Sequence, residues 1–391
     1  MKVATRTIYD NIAANLFKSA ERLQSLNENA SSGKRINQPA DDPVGAATVL
    51  DIQTVLGALN QYKRNINGAD SQLKASESVM TSVNDLLTTA KEVAAQMSNE
   101  TYSAQDRRAA ASQVENLMEE IRQLANTQLN GSYLFSGYST NEAAVSNGAS
   151  LEDPVANSAN PGRTDGVTTV NKDGTGFTGT FPVSTYMIEF TAARQFQVST
   201  DGGSTWSGSY DTTGGGNVTI TDGIVLNFND VDFTAGDRFT VPVHQYRIND
   251  DDNSIEVNVG RSASIKKNVT AVDAFQYGSG KTVFDALDDL RTALLTNNTN
   301  GIADSLTALT AGQDNLQTQR ADVGARLNRT QARSDLIDAM NLQNEQRRSD
   351  IEDVDIIEIM TQLQGQQVAY QAALLSSAKI SQVSLVNYLN P

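Results

Sequence analysis

Cysteine is absent from the 391-residue chain, which excludes disulfides and thiolate metal sites. One histidine, His244, leaves no paired-histidine chemistry and no histidine-based metal cluster. Aromatic residues make up 6% and apolar residues 39%, thin for one large globular core. Lysine and arginine number 30 against 46 aspartates and glutamates, a net charge of −16. That balance cannot neutralise phosphates and is repelled by an anionic membrane surface, so neither nucleic acid nor membrane is expected as a partner. No apolar run is long enough to span a bilayer. Met1 to Phe17 also lacks the continuous apolar stretch of a cleavable secretory signal. The expectation is a cytosolic protein, or one exported without a cleaved signal.

Proline is missing from two long intervals, 44–153 and 243–390, while 19 of the 27 glycines lie between Gly131 and Gly280. Since proline and glycine break regular structure, the layout is two helical arms around a central region of loops and strands. The expected fold class is α+β: a long antiparallel, coiled-coil-like helical bundle built from both termini, with an all-β domain inserted between them.

Tyr9, Ile12, Leu16, Leu23, Leu26 and Ala30, with the polar Ser19 filling one place in the row, recur at three and four residues, the repeat of a helix that packs along a partner helix. The chain then bends through Ser31 to Ala47. Gly33 can take the left-handed backbone that ends a helix, and Pro39 and Pro43 forbid regular structure just before them. Asp42 can cap a new helix with Pro43 at its first position. Beyond the bend, Ile52, Leu59, Ile66, Leu73, Met80, Leu87 and Ala94 are seven apart. A second row, Val55, Tyr62, Ala69, Ser76, Val83, Ala90 and Met97, has the same spacing. Together they predict one seam along a helix of about fifty residues. Ser103 and Asp106 are placed as a capping pair for the next helix, which carries Val114, Leu117, Ile121 and Leu124 and is expected to end at Asn130-Gly131.

From Tyr133 the period becomes two. Tyr186–Phe190, Gln195–Val198, Val218–Ile220, Ile224–Phe228 and Arg238–Val241 read as short strands, with Asp201-Gly202, Asp222-Gly223 and Asn229-Asp230 as turns. The second arm restarts at a Thr282/Asp285 capping pair with Val283, Leu287, Leu290 and Leu294. A more polar seam follows: Ile302, Leu306, Leu309, Leu316, Val323, Leu327 and Ile337, with Gln313, Arg320 and Ser334 on the same face. Ser349 and Glu352 form a further capping pair opening the last helix. From Ile359 to Pro391 that helix has one charged side chain, Lys379. Its apolar residues cover more than one face, too many for a solvated surface helix. Its glutamines are too polar for a membrane span. Burial against other chains is the remaining option, with both terminal helices ordering on assembly.

Candidate chemistry is sparse. Ser199 to Trp206 fits the S-x-D-x-G-x-T-W turn of sialidase blades, but it occurs once and no blade repeat surrounds it. A hairpin turn with Trp206 over a small core is the plainer reading, and glycan binding through that hairpin is the alternative. His244, between Val243 and Tyr246, is read as structural. Asp250-Asp251-Asp252-Asn253 lacks the glycine and distal glutamate of a calcium loop and is read as an acidic solvated turn. No Gly-x-Ser-x-Gly elbow is present. No catalytic residue, cofactor or metal is assigned, and an ordinary coiled-coil adaptor stays open as a reading of the seams.

The bend Ser32-Gly33-Lys34-Arg35-Ile36-Asn37…Asp41-Asp42-Pro43 resembles the segment that follows the first helix in the flagellin superfamily. Asn130 to Gly137 and Lys379 to Leu389 resemble its hook–filament junction branch. The resemblance covers roughly 1–140 and 280–391. It implies three domains: 1–45 with 346–391 as an inner helical domain that orders on assembly, 46–140 with 271–345 as a helical rod, and 141–270 as an outer β domain. It also implies a non-enzymatic extracellular subunit of the bacterial flagellum, passed through the flagellar export apparatus. Its expected partners are the first hook-associated protein, flagellin, copies of itself in a helical or ring layer, and a dedicated export chaperone. A flagellin that builds the filament itself is the alternative within the class. The expected assembly interface is Tyr9, Ile12, Leu16, Leu23, Leu26, Arg35, Asn37, Asp42, Ile356, Met360, Leu363, Tyr370, Leu374, Ile380, Leu385 and Tyr388.

Overall fold

The computed structural model describes the chain apart from residues 1, 158–159, 164, 180–185, 201–202, 204, 213–214, 230–231, 279 and 390–391; side chains of 2–6, 8–9 and 380–389 are also left out. The chain forms two compact units: Met1–Arg64 with Arg333–Pro391, and Asn65–Ala332.

Helix α1 spans Lys2–Ser32 and α2 spans Pro43–Met97. Gly33, at φ +71°, ends α1 as its glycine dictates, its amide donating to the Asn29 carbonyl (2.9 Å). Helix α3, Ala104–Ala125, opens on the expected Ser103/Asp106 capping box. It stops short of the expected end. Asn130 and Gly131, both at positive φ, instead form the turn between β1 (Gln128–Leu129) and β2 (Ser132–Tyr133). Asn-Gly suits a two-residue hairpin turn at least as well as a helix terminus, and here the hairpin wins.

The strands that follow are β3 (Val145–Leu151), β4 (Val155–Ala156), β5 (Val167–Thr169), β6 (Tyr186–Ala192), β7 (Gln195–Ser199), β8 (Ser207–Asp211), β9 (Gly216–Thr219), β10 (Val225–Phe228), β11 (Arg238–Val241), β12 (Val243–Ile248), β13 (Glu256–Gly260) and β14 (Ala263–Lys266). They build an antiparallel five-stranded sheet in the order β4-β11-β6-β7-β8, a three-stranded sheet β5-β10-β9, and the ribbons β12-β3 and β13-β14. A single core serves both sheets. Phe190 stacks on Phe233 (4.0 Å between centroids), and Phe196, Phe228 and Phe239 surround the pair. Trp206 lies outside that core: half-buried, it sits beneath the Arg238 guanidinium (5.7 Å). The expected Asp201-Gly202 turn, Ser204 and Asp230 lie outside the described residues.

A short helix α4 (Ala271–Phe275), the pair β15 (Gln276–Tyr277) and β16 (Lys281–Thr282), and α5 (Val283–Leu295) lead into α6 (Thr299–Glu352) and α7 (Ile356–Leu389). Thr282 and Asp285 cap α5 as expected. Ser349 and Glu352, however, lie inside α6; Asp355 caps α7, its Oδ1 accepting from the Ile357 amide (2.9 Å). The break arises from pairing with the bend after α1, a long-range contact that a local capping pattern cannot reveal.

In the second unit the heptad rows meet. Leu73, Met80, Leu87 and Ala94 of α2 share one core with Val114, Met118 and Ile121 of α3, Leu287, Leu290 and Leu294 of α5, and Ile302, Leu309, Leu316 and Val323 of α6. Gln313, polar within the seam, is accommodated: its amide donates to Asn84 (3.1 Å) and Thr88 (2.9 Å) and its carbonyl accepts from Lys91 Nζ (2.9 Å). Such a satisfied polar group fixes register between helices. The Tyr-Leu-Phe-Ser-Gly segment plugs this core. Phe135 packs edge-on against Phe275 (5.4 Å), which meets Phe284 (5.9 Å). Gly137 (φ +57°) lets the backbone pass Asp251, whose Oδ2 accepts from the Tyr138 (2.8 Å) and Ser139 (3.0 Å) amides. Asp251 therefore organises a turn.

Candidate functional site

The terminal unit holds a clasp between distant parts of the chain. The Arg35 amide donates to the Glu352 carbonyl (2.7 Å), the Val354 amide donates to the Gly33 carbonyl (3.1 Å), and Lys34 bridges Asp353 in antiparallel fashion. Side chains reinforce the backbone. Lys34 Nζ meets the nearly buried Glu352 at 2.5 Å, and the Arg35 guanidinium donates to the Ile351 carbonyl (2.8 Å) and reaches Asp42 (3.3 Å).

Within the bend, Asp41 Oδ2 accepts from the Asn37 (2.9 Å) and Gln38 (2.8 Å) amides, and Asn37 donates to Asn29 (2.8 Å). Asp42 Oδ1 accepts from the Gly45 amide (2.9 Å), capping α2 as expected. That amide, with Arg35 adding to it, holds the Asp42 carboxyl below the usual carboxylate range. Ile36 is buried under this turn. A Cβ on Gly45 would lie 2.5 Å from Asp42 Oδ2 and 2.6 Å from Ile36 Cδ1, so any larger residue has to push these two side-chain ends aside. Below the clasp α1 and α7 pack together, and Gln366 Nε2 donates to the Ser19 hydroxyl (2.8 Å) and carbonyl (3.2 Å).

The expected interface residues distribute as follows. Leu26 is buried, while Ile12, Leu16, Leu23, Leu363, Tyr370 and Asp42 are half-buried. Arg35, Asn37, Ile356, Met360 and Leu374 are exposed. The side chains of Tyr9, Ile380, Leu385 and Tyr388 lie outside the described residues. The clasp thus joins Arg35, Asn37 and Asp42, whereas the apolar members spread along α1 and α7. Sequence reading passed over Lys34, Ile36, Gly45 and Glu352 as members of the clasp. The tight Asp42–Gly45 spacing after a proline-capped start was the available signal.

Exposure is uneven. Among the described residues, 13 of the 17 large apolar side chains left exposed belong to the terminal unit, including Phe17 (72%), Ile357 (80%) and Leu375 (69%). Charge divides the other way. The terminal unit carries 12 basic and 14 acidic residues, the second unit 18 and 32. A nearly neutral unit with an apolar surface is suited to being covered, and a strongly acidic one to facing solvent.

The bacterial flagellin N-terminal helical region matches residues 3–140, and its C-terminal helical region matches 306–389. Together they take in more than half of the chain. The chain belongs to the flagellin family. Both family regions include the segments that form the clasp. Among curated flagellin-family relatives, the flagellar hook-associated protein 3 of Salmonella typhimurium is 30% identical over 144 residues, 37% of this chain and 45% of that protein. Its Escherichia coli counterpart is 30% identical over 147 residues, 37% and 46%. The chain thus spans less than half the length of these two relatives. A flagellar filament 41 kDa core protein of Borreliella burgdorferi is 34% identical over 131 residues, 33% of this chain and 37% of that protein. The solved structure of a putative flagellar hook-associated protein from Vibrio parahaemolyticus shares the fold, with a TM-score of 0.53 at 17% identity over 80% of this chain and 100% of that one.

Proposed function

We propose that this chain is a non-enzymatic structural subunit of the bacterial flagellum, set where the hook meets the filament. The observation that carries the reading is the concentration of exposed apolar side chains in the unit made from the two chain ends. Exposed apolar area of this kind gains about 25 cal/mol per Å² when another surface covers it. Neighbouring copies, the first hook-associated protein on one side and flagellin on the other, supply that cover. In this reading Tyr9, Ile12, Leu16, Leu23, Ile356, Met360, Leu363, Tyr370, Leu374, Ile380, Leu385 and Tyr388 form the contact face, Leu26 is already buried within the chain, and Arg35, Asn37 and Asp42 hold the clasp. The three-domain division at 45, 140, 270 and 345 belongs to the same proposal: inner layer, rod, and an acidic β-rich outer surface. A dedicated chaperone masks the C-terminal part before extracellular assembly.

Similarity to a filament core protein supports a second reading, in which the chain builds the filament itself. Immunoelectron microscopy of detached flagella with an antibody to residues 150–260 separates the two. Label confined to one proximal band is the expected result, and label along the whole filament would replace the junction reading with the filament one.

A further inference from the structure

His244, the only histidine in the chain, is 3% exposed in the second unit. It lies on β12, opposite Ser150 of β3 and beside a bulge in that ribbon. Its ring nitrogens make no hydrogen bond. They face carboxylates at ionic distances instead: Nε2 lies 3.6 Å from Glu152, just after β3, and Nδ1 lies 3.5 Å from Asp288 and 4.0 Å from Asp285, both on α5. A neutral imidazole needs one acceptor and one donor partner. Carboxylates on both sides offer acceptors alone, which is the surrounding of an imidazolium.

The charges that face the ring come from every element packed on it. From β16, Lys281 pairs with Glu152 (3.1 Å). From α5, Arg291 pairs with Asp288 (2.7 Å), and Asp289 lies in the same field. Tyr277 of β15 stands nearby, held up by burial and by Asp285, Asp289 and Glu152. Asp304 of α6 lines the same cavity of about 470 Å³ as His244, Lys281, Asp288 and Asp289. The immediate cluster thus sets Glu152, Asp285, Asp288 and Asp289 against Lys281, Arg291 and the ring. Losing the ring's proton leaves two cations facing four carboxylates.

We propose that His244 is a protonation latch: as an imidazolium it fastens the β3–β12 ribbon to α5, and in alkaline solution it lets that ribbon go. The ribbon contributes to both cores of the unit, with Val145, Tyr246 and Ile248 in the helical core and Ala149 and Leu151 in the β core. Its release therefore loosens the coupling between the sheets and the helices and withdraws the ribbon's own side chains from each core. Burial opposes the charged ring, but Asp285, Asp288, Glu152 and Asp289 outweigh it and hold the ring's pKa well above 6.5. A pKa raised on folding gives stability that is complete below the unfolded value of about 6.5 and is lost as pH rises through the folded one.

A single histidine makes the test direct. In the full-length chain labelled with ¹³C at the imidazole ring, one ring resonance is titrated from pH 5 to 10. Amide exchange, corrected for its intrinsic pH dependence, is followed over the same range. The expected midpoint lies well above the free-histidine value of about 6.5. Protection of β3 and β12 should fall at least tenfold across that midpoint, while β6, β7 and β11 keep theirs. His244→Gln should remove the step, leaving the ribbon equally open at pH 7 and pH 9. A midpoint at or below the free-histidine value overturns the latch, and so does a titrating ring with unchanged ribbon protection. Should His244→Gln fail to fold, the wild-type titration and exchange decide alone.

Discussion

The exposed face of α7 offers the sharpest perturbation. Ile357 and Leu375 are 80% and 69% exposed, so they contribute little to holding this chain together. Replacing both with glutamine keeps a good helix former at each position and lies within the range of surface substitutions, about ±0.5 kcal/mol each. Covering such a side chain in an assembly is worth about 1.5–3 kcal/mol when burial is complete. Scaled by the fraction still available, the pair should contribute about 2–4.5 kcal/mol per subunit. At about 1.4 kcal/mol per tenfold, that is a loss of roughly 40-fold to 10³-fold in the affinity for neighbours. The Ile357→Gln/Leu375→Gln chain should therefore melt like the parent by circular dichroism. Expressed in cells lacking the parent chain, it should leave flagella without attached filaments and swarming abolished. Normal swarming with intact filaments would refute the idea that this face is covered in the assembly. A melting transition lowered as much as swarming would refute it too, by tracing the defect to folding.

Other consequences are narrower. Gly45→Ala forces Asp42 and Ile36 apart and weakens the α2 cap, at a cost of about 1–3 kcal/mol, which a lowered thermal midpoint and faster proteolysis between 33 and 45 would register. Gly33→Ala meets no neighbour but must hold φ +71°, so it should cost only about 1–2 kcal/mol from the backbone. Phe135→Ala empties a fully buried ring position and should cost about 3–5 kcal/mol in denaturant unfolding of the second unit. Phe135→Leu should retain most of that. The Arg122 guanidinium beside Glu119 draws its carboxyl down to about 2. The stability this pair adds is present above about pH 4.5 and is lost as pH falls toward 2, so Glu119→Gln should flatten the acid limb of a melting-temperature profile.

The helical arms were legible because their signal is local and repeated. A residue every seven places, from Ile52 through Ala94, fixes a buried row whatever it packs on, and every member is buried. Capping boxes at Ser103 and Thr282 were equally readable, since donor and acceptor sit three residues apart. Errors arose where a partner lies far along the chain. Nothing near Ser349 indicates that α6 continues to Glu352, because the break is made by Gly33 and Arg35 more than 300 residues earlier. The ribbon strands β3 and β12 escaped notice because their composition hides them: β12 alternates cleanly, but one of its buried positions is His244, and β3 is built largely of Ser, Asn, Gly and Ala, which have little strand preference. His244 was expected to be structural, but its carboxylate neighbours come from segments 40 and 90 residues distant and leave no mark beside it. In the clasp, Asp42 and Pro43 announced themselves as a cap, whereas Lys34 became meaningful only opposite Glu352.

Amide hydrogen exchange over residues 10–32 and 356–379, compared between the purified single chain and detached flagella, bears most directly on whether the two chain ends work by being covered. At least hundredfold slower exchange in flagella is the expected result, with the second unit's seam helices unchanged. Equal protection in both samples would mean that these helices need no neighbours, and the assembly role assigned to them would be wrong.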